Sequence, residues 1–220
     1  MGAETDTMGA ASQLEAVAFV GQVLSPLFLE DPETGSAGAS LDAMASLDVD
    51  QAAGEWPFVD DVLARENLAL MQGGLASGAE GRSDLAWEYR RLFVGPAKKV
   101  APPWGSVYTD RECVVFGAST LGLRQWMREN GIARMGGSGT PEDSIGLMLS
   151  LMAWIAENRP ELLDDYLQNH LLTWAGHFLD EMAEGTENPF YRGLAGLTKA
   201  SLEGIQSERA IQVTYPRFYR

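Results

Sequence analysis

One cysteine, Cys113, and two histidines, His170 and His177, are all that the 220 residues hold of those metal-binding types. A single cysteine excludes an intramolecular disulfide and leaves a cysteine-based zinc site short of ligands. The histidines are seven apart, and no HExxH pattern surrounds them. Two ligands do not make a metal site, so no metal is expected. Positive charge is also scarce: 16 Lys and Arg stand against 31 Asp and Glu, a formal net charge of −15. Such a chain repels phosphate backbones and anionic headgroups, which argues against nucleic acid as a partner. The same acidity keeps a protein in solution, and it attracts a basic partner. The N-terminus has no basic region ahead of an apolar stretch, and no apolar run looks long enough to span a bilayer. The expectation is a cytoplasmic chain that is not integral to a membrane.

Catalytic signatures are missing as well. There is no Walker-type phosphate loop and no dinucleotide fingerprint. Gly136-Gly137-Ser138-Gly139 precedes a helix start and so has the look of an anion site, but no Lys-Ser/Thr pair follows. Paired acids such as Asp60-Asp61 and Asp164-Asp165 have solvated helix faces as their simpler reading. Cys113 has no basic neighbour in sequence to activate it. No enzyme and no bound cofactor is expected.

What the chain does have is helical periodicity. Leu14, Val17, Ala18, Gly21, Leu24 and Phe28 share a face, with Ser12 as a cap and Pro26 as a kink or stop. Residues 31–40 read as a loop, 41–47 as a short helix, and Val59, Val62, Leu63, Leu70 and Met71 as the apolar side of another, closed by Gly73-Gly74. A helix from Ser83 carries apolar residues on several sides, including Trp87, Tyr89, Leu92 and Phe93, and ends at Gly95-Pro96. Ser119 caps the next, which stops at Asn130-Gly131. Thr140, Pro141, Glu142 and Asp143 form a cap, an N1 proline and an acidic first turn. Arg159-Pro160 breaks that helix and opens one running past Met182, and Asn188-Pro189 opens the last. No repeat and no strand signal occurs. The fold expected is all-α: one helical domain over 1–220, with 1–11 disordered and 211–220 an irregular tail.

The segment Pro96 to Gly117 interrupts this pattern with prolines, Trp104 and Tyr108. A loop this long inside a compact domain is often functional. Trp104 can act as a binding anchor there, or fold back to plug the core; spacing alone does not choose.

Glu88-Tyr89-Arg90-Arg91-Leu92-Phe93-Val94-Gly95-Pro96, then Pro102-Pro103-Trp104-Gly105-Ser106-Val107-Tyr108, resemble the TorD/DmsD family of redox-enzyme maturation chaperones. Val115-Phe116-Gly117, Leu123-Arg124-Gln125-Trp126-Met127, Pro141-Glu142-Asp143, His170-Leu171 with Trp174, Phe178-Leu179 and Pro189-Phe190-Tyr191 continue the match in order, from about Trp87 to Leu202. The Pro-Pro-Trp-Gly-Ser-Val-Tyr string resembles the DMSO-reductase branch. The resemblance implies an all-helical chaperone without catalysis. It would bind the twin-arginine leader and folding intermediate of a molybdopterin oxidoreductase subunit, delay export until the cofactor is inserted, and meet the Tat translocase. It implies a monomer, with a domain-swapped dimer as the other state. By matching motif, the leader-binding residues would be Tyr89, Leu92, Phe93, Pro103, Trp104, Gly117, Pro141, Glu142, Asp143 and Ser144. Ser144 stands where the family typically has histidine, which removes a charge and a donor. In this reading Glu142 and Asp143 pair with the leader arginines, and Leu92, Phe93 and Trp104 form a groove for its apolar part. The internal Arg90-Arg91 pair is no leader, lying far from the N-terminus. Two alternatives stay open: a chaperone for the mature part of another molybdoenzyme, of nitrate-reductase type, and a nucleotide-binding protein.

Overall fold

The computed structural model describes residues 2–33, 35–75, 79–95, 99–133 and 140–220. Among them there is no β-strand, and eleven α-helices with short π and 3-10 turns make up an all-α fold. The helices are α1 (Gly2–Leu29), α2 (Gly35–Ala45), α3 (Val49–Glu55), α4 (Asp61–Gly74) and α5 (Ala79–Tyr89), which continues as a π turn over Arg90–Val94. Then come α6 (Gly105–Thr109), α7 (Ala118–Glu129), α8 (Ile145–Asn158), α9 (Leu163–Tyr166), α10 (Ala175–Gly185) and α11 (Pro189–Glu208).

The core forms where α1 lies along α8, and α11 lies along α4 and α10. Val17, Ala18, Leu24 and Phe28 are buried on α1, the face that the periodicity marks. Helix α1 begins well before Ser12, so Ser12 is not its cap. The helical backbone takes in most of 1–11, where the sequence leads one to expect disorder, but residues 9–12 are exposed and add nothing to the core. Pro26 lies inside α1, only a turn from its end, where few backbone bonds remain to be lost. The span Gly9–Leu29 is long and apolar enough to cross a membrane, contrary to expectation. Its buried side is occupied by α8, as in the core helix of a globular protein.

Several boundaries move. Helix α2 takes up the second half of the expected loop 31–40, and α3 has no counterpart in the periodic reading. On α4 the buried positions are Ala64, Asn67, Leu68, Met71 and Gly74, while Val62 and Leu63 are exposed. Small residues win there because α11 approaches closely, with Gly193 and Gly196 against Asn67. The helix expected after Pro160 is broken: a π turn over Leu167–Leu171 and a turn at 172–174 separate α9 from α10. Asn188 does cap α11, its Oδ1 accepting the Phe190 N–H at 2.8 Å. The glycine run 136–139 and Pro96 lie outside the described residues.

Arg90 and Arg91 are both used within the fold. Arg90 pairs with Asp31 (2.9 Å) and Glu33 (2.5 Å), and Arg91 pairs with buried Glu88 (2.6 Å). Burial pushes the Glu88 carboxyl up. Hydrogen bonds from Arg91, the Thr186 hydroxyl and the Glu187 N–H outweigh this and hold it below the usual range.

Candidate functional site

Three prolines shape the site. Pro102, Pro103 and Pro141 cannot donate from the backbone and disfavour helix just before them, so the chain enters both strips outside a helix. The strips run antiparallel and bond to each other. The Gly105 N–H donates to the Asp143 carbonyl (3.0 Å), and the Ile145 N–H donates to the Pro103 carbonyl (2.9 Å). Trp104 and Ser144 form the bridge between them. The aromatic-proline loop and the acidic helix start, 37 residues apart at Ser106 and Asp143, are therefore one structural unit.

Asp143 is its hub. The side chain is 2% exposed, and its Oδ2 accepts the Ser106 N–H (2.7 Å) and the Ser119 hydroxyl (3.1 Å). One carboxylate thus ties the starts of α6 and α7 to the turn before α8. Glu142, also buried, accepts from Arg124 Nε at 2.5 Å. The Arg124 guanidinium lies 5.1 Å from the Phe116 ring centre. The cap at Thr140 is not realised. Helix α8 starts at Ile145 with Ser144 as N-cap residue, and no side-chain bond is made there. The acids lie ahead of the helix in a turn, closed by the Ser144 N–H donating to the Pro141 carbonyl (3.1 Å), which delivers Ser144 to its bridge with Trp104.

Two glycines permit close approach. A Cβ at Gly105 would lie 2.7 Å from Trp174 Nε1, and one at Gly117 would lie 2.6 Å from Asp110 Oδ2. Trp174 fills the space under the loop, stacked on Tyr108 at 5.9 Å. Asp110 accepts the Glu112 and Ala118 N–H groups, which hold its carboxyl below the usual range. Within that turn Cys113 and Phe116 have φ of 50° and 65°, a region that side chains rarely adopt. Strain of this kind persists only where the surroundings enforce it. Val114, Val115 and Phe116 are each about 40% exposed. From the other side, the C-terminal residues brace the loop. Arg220 pairs with Glu181 (3.1 Å) and donates to the Lys99 and Val100 carbonyls. The Phe218 ring stacks on His177 at 4.3 Å.

The ten residues that the sequence singles out divide by burial. Tyr89, Leu92 and Phe93 lie in the core. Leu92 is fully buried, and the Phe93 ring sits among Tyr89, Phe28 and Tyr191. Burial, with Asp31 and Glu30 nearby, pushes the Tyr89 hydroxyl up to about 12. The apolar groove expected from Leu92, Phe93 and Trp104 does not form, because the first two face the core from the π turn, Phe93 against Phe28 of α1 and Tyr191 of α11. Pro103, Pro141 and Gly117 are buried, as are Glu142, Asp143 and Ser144. Direct pairing of both acids with a ligand is not what this geometry offers, since each already has a partner. Trp104 alone of the ten is half-buried, packed on the core with Lys99 Nζ 5.1 Å from its ring centre. Arg124, Ser119, Asp110 and Phe116 join the site although sequence reasoning gave them no part in it; Ser119, expected to cap α7, lies inside that helix, whose N-cap residue is Gly117. Arg124 and Phe116 lie within motifs of the resemblance, which is the signal that could have found them.

Among the described residues no group of three or more His, Cys, Asp or Glu could hold a metal. His170 is packed against Trp126 and Tyr166, and burial lowers its pKa despite Asp165. Cys113 is free and exposed.

Residues 58–180 match the family described as nitrate reductase delta subunit. The chain is 38% identical to a probable Tat proofreading chaperone DmsD of Haemophilus influenzae, over 94% of this chain and 98% of that one. It is 37% identical to the Tat proofreading chaperone DmsD of Salmonella typhimurium, with the same coverage. The chaperone protein YcdY of Escherichia coli is 28% identical over 71% of this chain and 77% of its own length. Motif order, all-helical fold and these similarities agree: the chain belongs to the nitrate reductase delta subunit family, within its TorD/DmsD group.

Proposed function

We propose that this chain is a non-catalytic cytoplasmic chaperone for a molybdopterin oxidoreductase of the DMSO-reductase type. It binds the twin-arginine leader of the catalytic subunit and delays export until folding and cofactor insertion are complete. The supporting observation is similarity along 94% of the chain to proteins named Tat proofreading chaperones. The paired strips add a surface suited to the task. Phe116 offers exposed apolar area beside the Arg124–Glu142 pair, and half-buried Trp104 adds more on the facing strip. A leader arginine reaches Glu142 by exchanging with Arg124, and bidentate contact suits that exchange. Pro103, Gly117, Pro141, Asp143 and Ser144 act by position, shaping the strips, while Tyr89, Leu92 and Phe93 support the fold from the core. The chain works as a monomer, with the leader-bearing subunit and the translocase as its partners.

Export of a reporter fused to the client leader, followed with and without the chain, tests this reading. Export slowed for the twin-arginine leader and unchanged for a general secretory leader supports it. Equal rates in both cases contradict it. The family description favours one other reading, a chaperone for the mature part of a nitrate-reductase-type enzyme. Equal binding to a client without its leader would select it.

A further inference from the structure

An open groove of about 480 Å³ lies between α1, α2 and α3, far in sequence from the paired strips. Phe19, Val23 and Leu27 of α1, Met44 and Leu47 near α2, and Trp56 line it. Its size is that of a ligand site, and its walls are mostly hydrocarbon. The walls are fixed. Trp56 is 8% exposed, and its indole N–H donates to Ser201 Oγ of α11 at 3.0 Å. Phe19 packs edge-on against Trp56 at 5.5 Å, yet stays 44% exposed. Open apolar surface of this kind marks an interaction site.

Charge says what kind of partner fits. Residues 1–64, which build the groove, carry twelve Asp and Glu and no Lys, Arg or His; Arg65, Arg82 and Arg90 pair with four of these acids, Asp31, Glu33, Asp42 and Asp50, and the segment stays acidic. Glu55 lines the groove, Glu15 lies one helical turn before Phe19, and Glu157 accepts from Gln22 of the wall (2.5 Å). All three are exposed, and none is in an ion pair among the described residues. A symmetric second copy would set this acidic rim against itself, and an anionic bilayer would be repelled. An apolar helix with basic flanks satisfies both the walls and the rim.

We propose that the α1–α3 groove seats a basic-flanked apolar helix, the apolar stretch of the leader, while the paired strips engage its arginine end. The assignment rests on the leader-binding reading and adds to it a second, separate contact surface. Met44 helps the groove accept apolar stretches of different sequence, because a thioether side chain repacks easily.

The test is fluorescence anisotropy with two labelled peptides, a synthetic twin-arginine leader and an alanine–leucine helix flanked by lysines, and with the leader's twin-lysine counterpart as control. Ala43→Trp, at an exposed position lining the groove, fills it. Phe19→Glu, at a position already open to water, is the second variant should Ala43→Trp fail to fold; circular dichroism and Tm report folding. Either variant should weaken both peptides at least about tenfold. Replacing Glu15, Glu55 and Glu157 together by Gln should weaken both severalfold at low salt and flatten the salt dependence. Unchanged leader affinity in a folded groove variant overturns the groove and leaves the leader reading standing. Loss of the lysine-flanked peptide in the variants, with a leader bound no better than its twin-lysine counterpart, keeps the groove and removes the twin-arginine reading. No binding of either peptide to the natural chain overturns both.

Discussion

Asp143→Ala is the most informative single change, because it separates support of the site from contact with a ligand. The carboxylate is 2% exposed and accepts the Ser106 N–H at 2.7 Å and the Ser119 hydroxyl at 3.1 Å. Hydrogen bonds to a charged group contribute about 1.5–3 kcal/mol each, so two contribute about 3–6 kcal/mol. Removing the carboxylate also relieves the cost of keeping it from water, which offsets part of this. The Ser106 N–H is then left buried without an acceptor, at about 1–3 kcal/mol. The expected net loss is about 2–4 kcal/mol, which lowers Tm by about 4–16 °C for a chain of this length. Asp143→Asn keeps an acceptor and loses the charge, so it should lose about half as much. Urea unfolding measures the loss, and amide exchange at Ser106 locates it. A stable Asp143→Ala protein with a protected Ser106 amide and abolished leader binding would refute the reasoning, for the carboxylate would then serve the ligand and not the fold.

Four further outcomes follow from other contacts of the fold and the site. Leu92→Ala should cost about 2–5 kcal/mol, as a cavity in the core, and Gly105→Ala about 1–3 kcal/mol, because its Cβ meets the Trp174 indole at 2.7 Å; chemical denaturation reads both. Trp104→Ala should leave the helical spectrum intact and weaken leader binding about tenfold or more, since this ring is only half-buried. Glu88 has a folded pKa held below its ordinary value, so its contribution is fully present above the unfolded value of 4.5 and is lost as pH falls through the folded one. Glu88→Gln should therefore flatten the acid limb of a Tm-against-pH profile, and an unchanged limb would contradict the hydrogen-bond set at Glu88.

The parts of the molecule legible in the sequence are those fixed by local chemistry. The face of α1, the cap at Asn188 and the stop at Asn130-Gly131 follow from periodicity and capping alone, and each occurs where it is expected. Where a partner helix decides, local rules fail. Val62 and Leu63 look like the buried side of α4, yet the close approach of α11 buries Ala64, Asn67 and Leu68 instead. The acids after Pro141 read as the first turn of a helix, because nothing local shows that residues 103–105 will bond to 143–145 and delay the helix to Ile145. Likewise, the Tyr89–Phe93 motif has the composition of a binding surface but faces the core. Trp104 could not be placed from spacing; the structure packs it against the core and leaves it half-buried. Apart from its place in a motif of the resemblance, Arg124 carries no local sign of a site residue, because its importance comes from Glu142, 18 positions away.

The central claim is recognition of a twin-arginine leader. Calorimetric titration with the synthetic leader, beside the same peptide carrying two lysines, tests it most directly. The account predicts tight binding of the first, weaker binding of the second, and loss of affinity as salt rises, because the arginine pair exchanges into the Arg124–Glu142 contact. Equal affinity for the two peptides, or no binding of either, would contradict it.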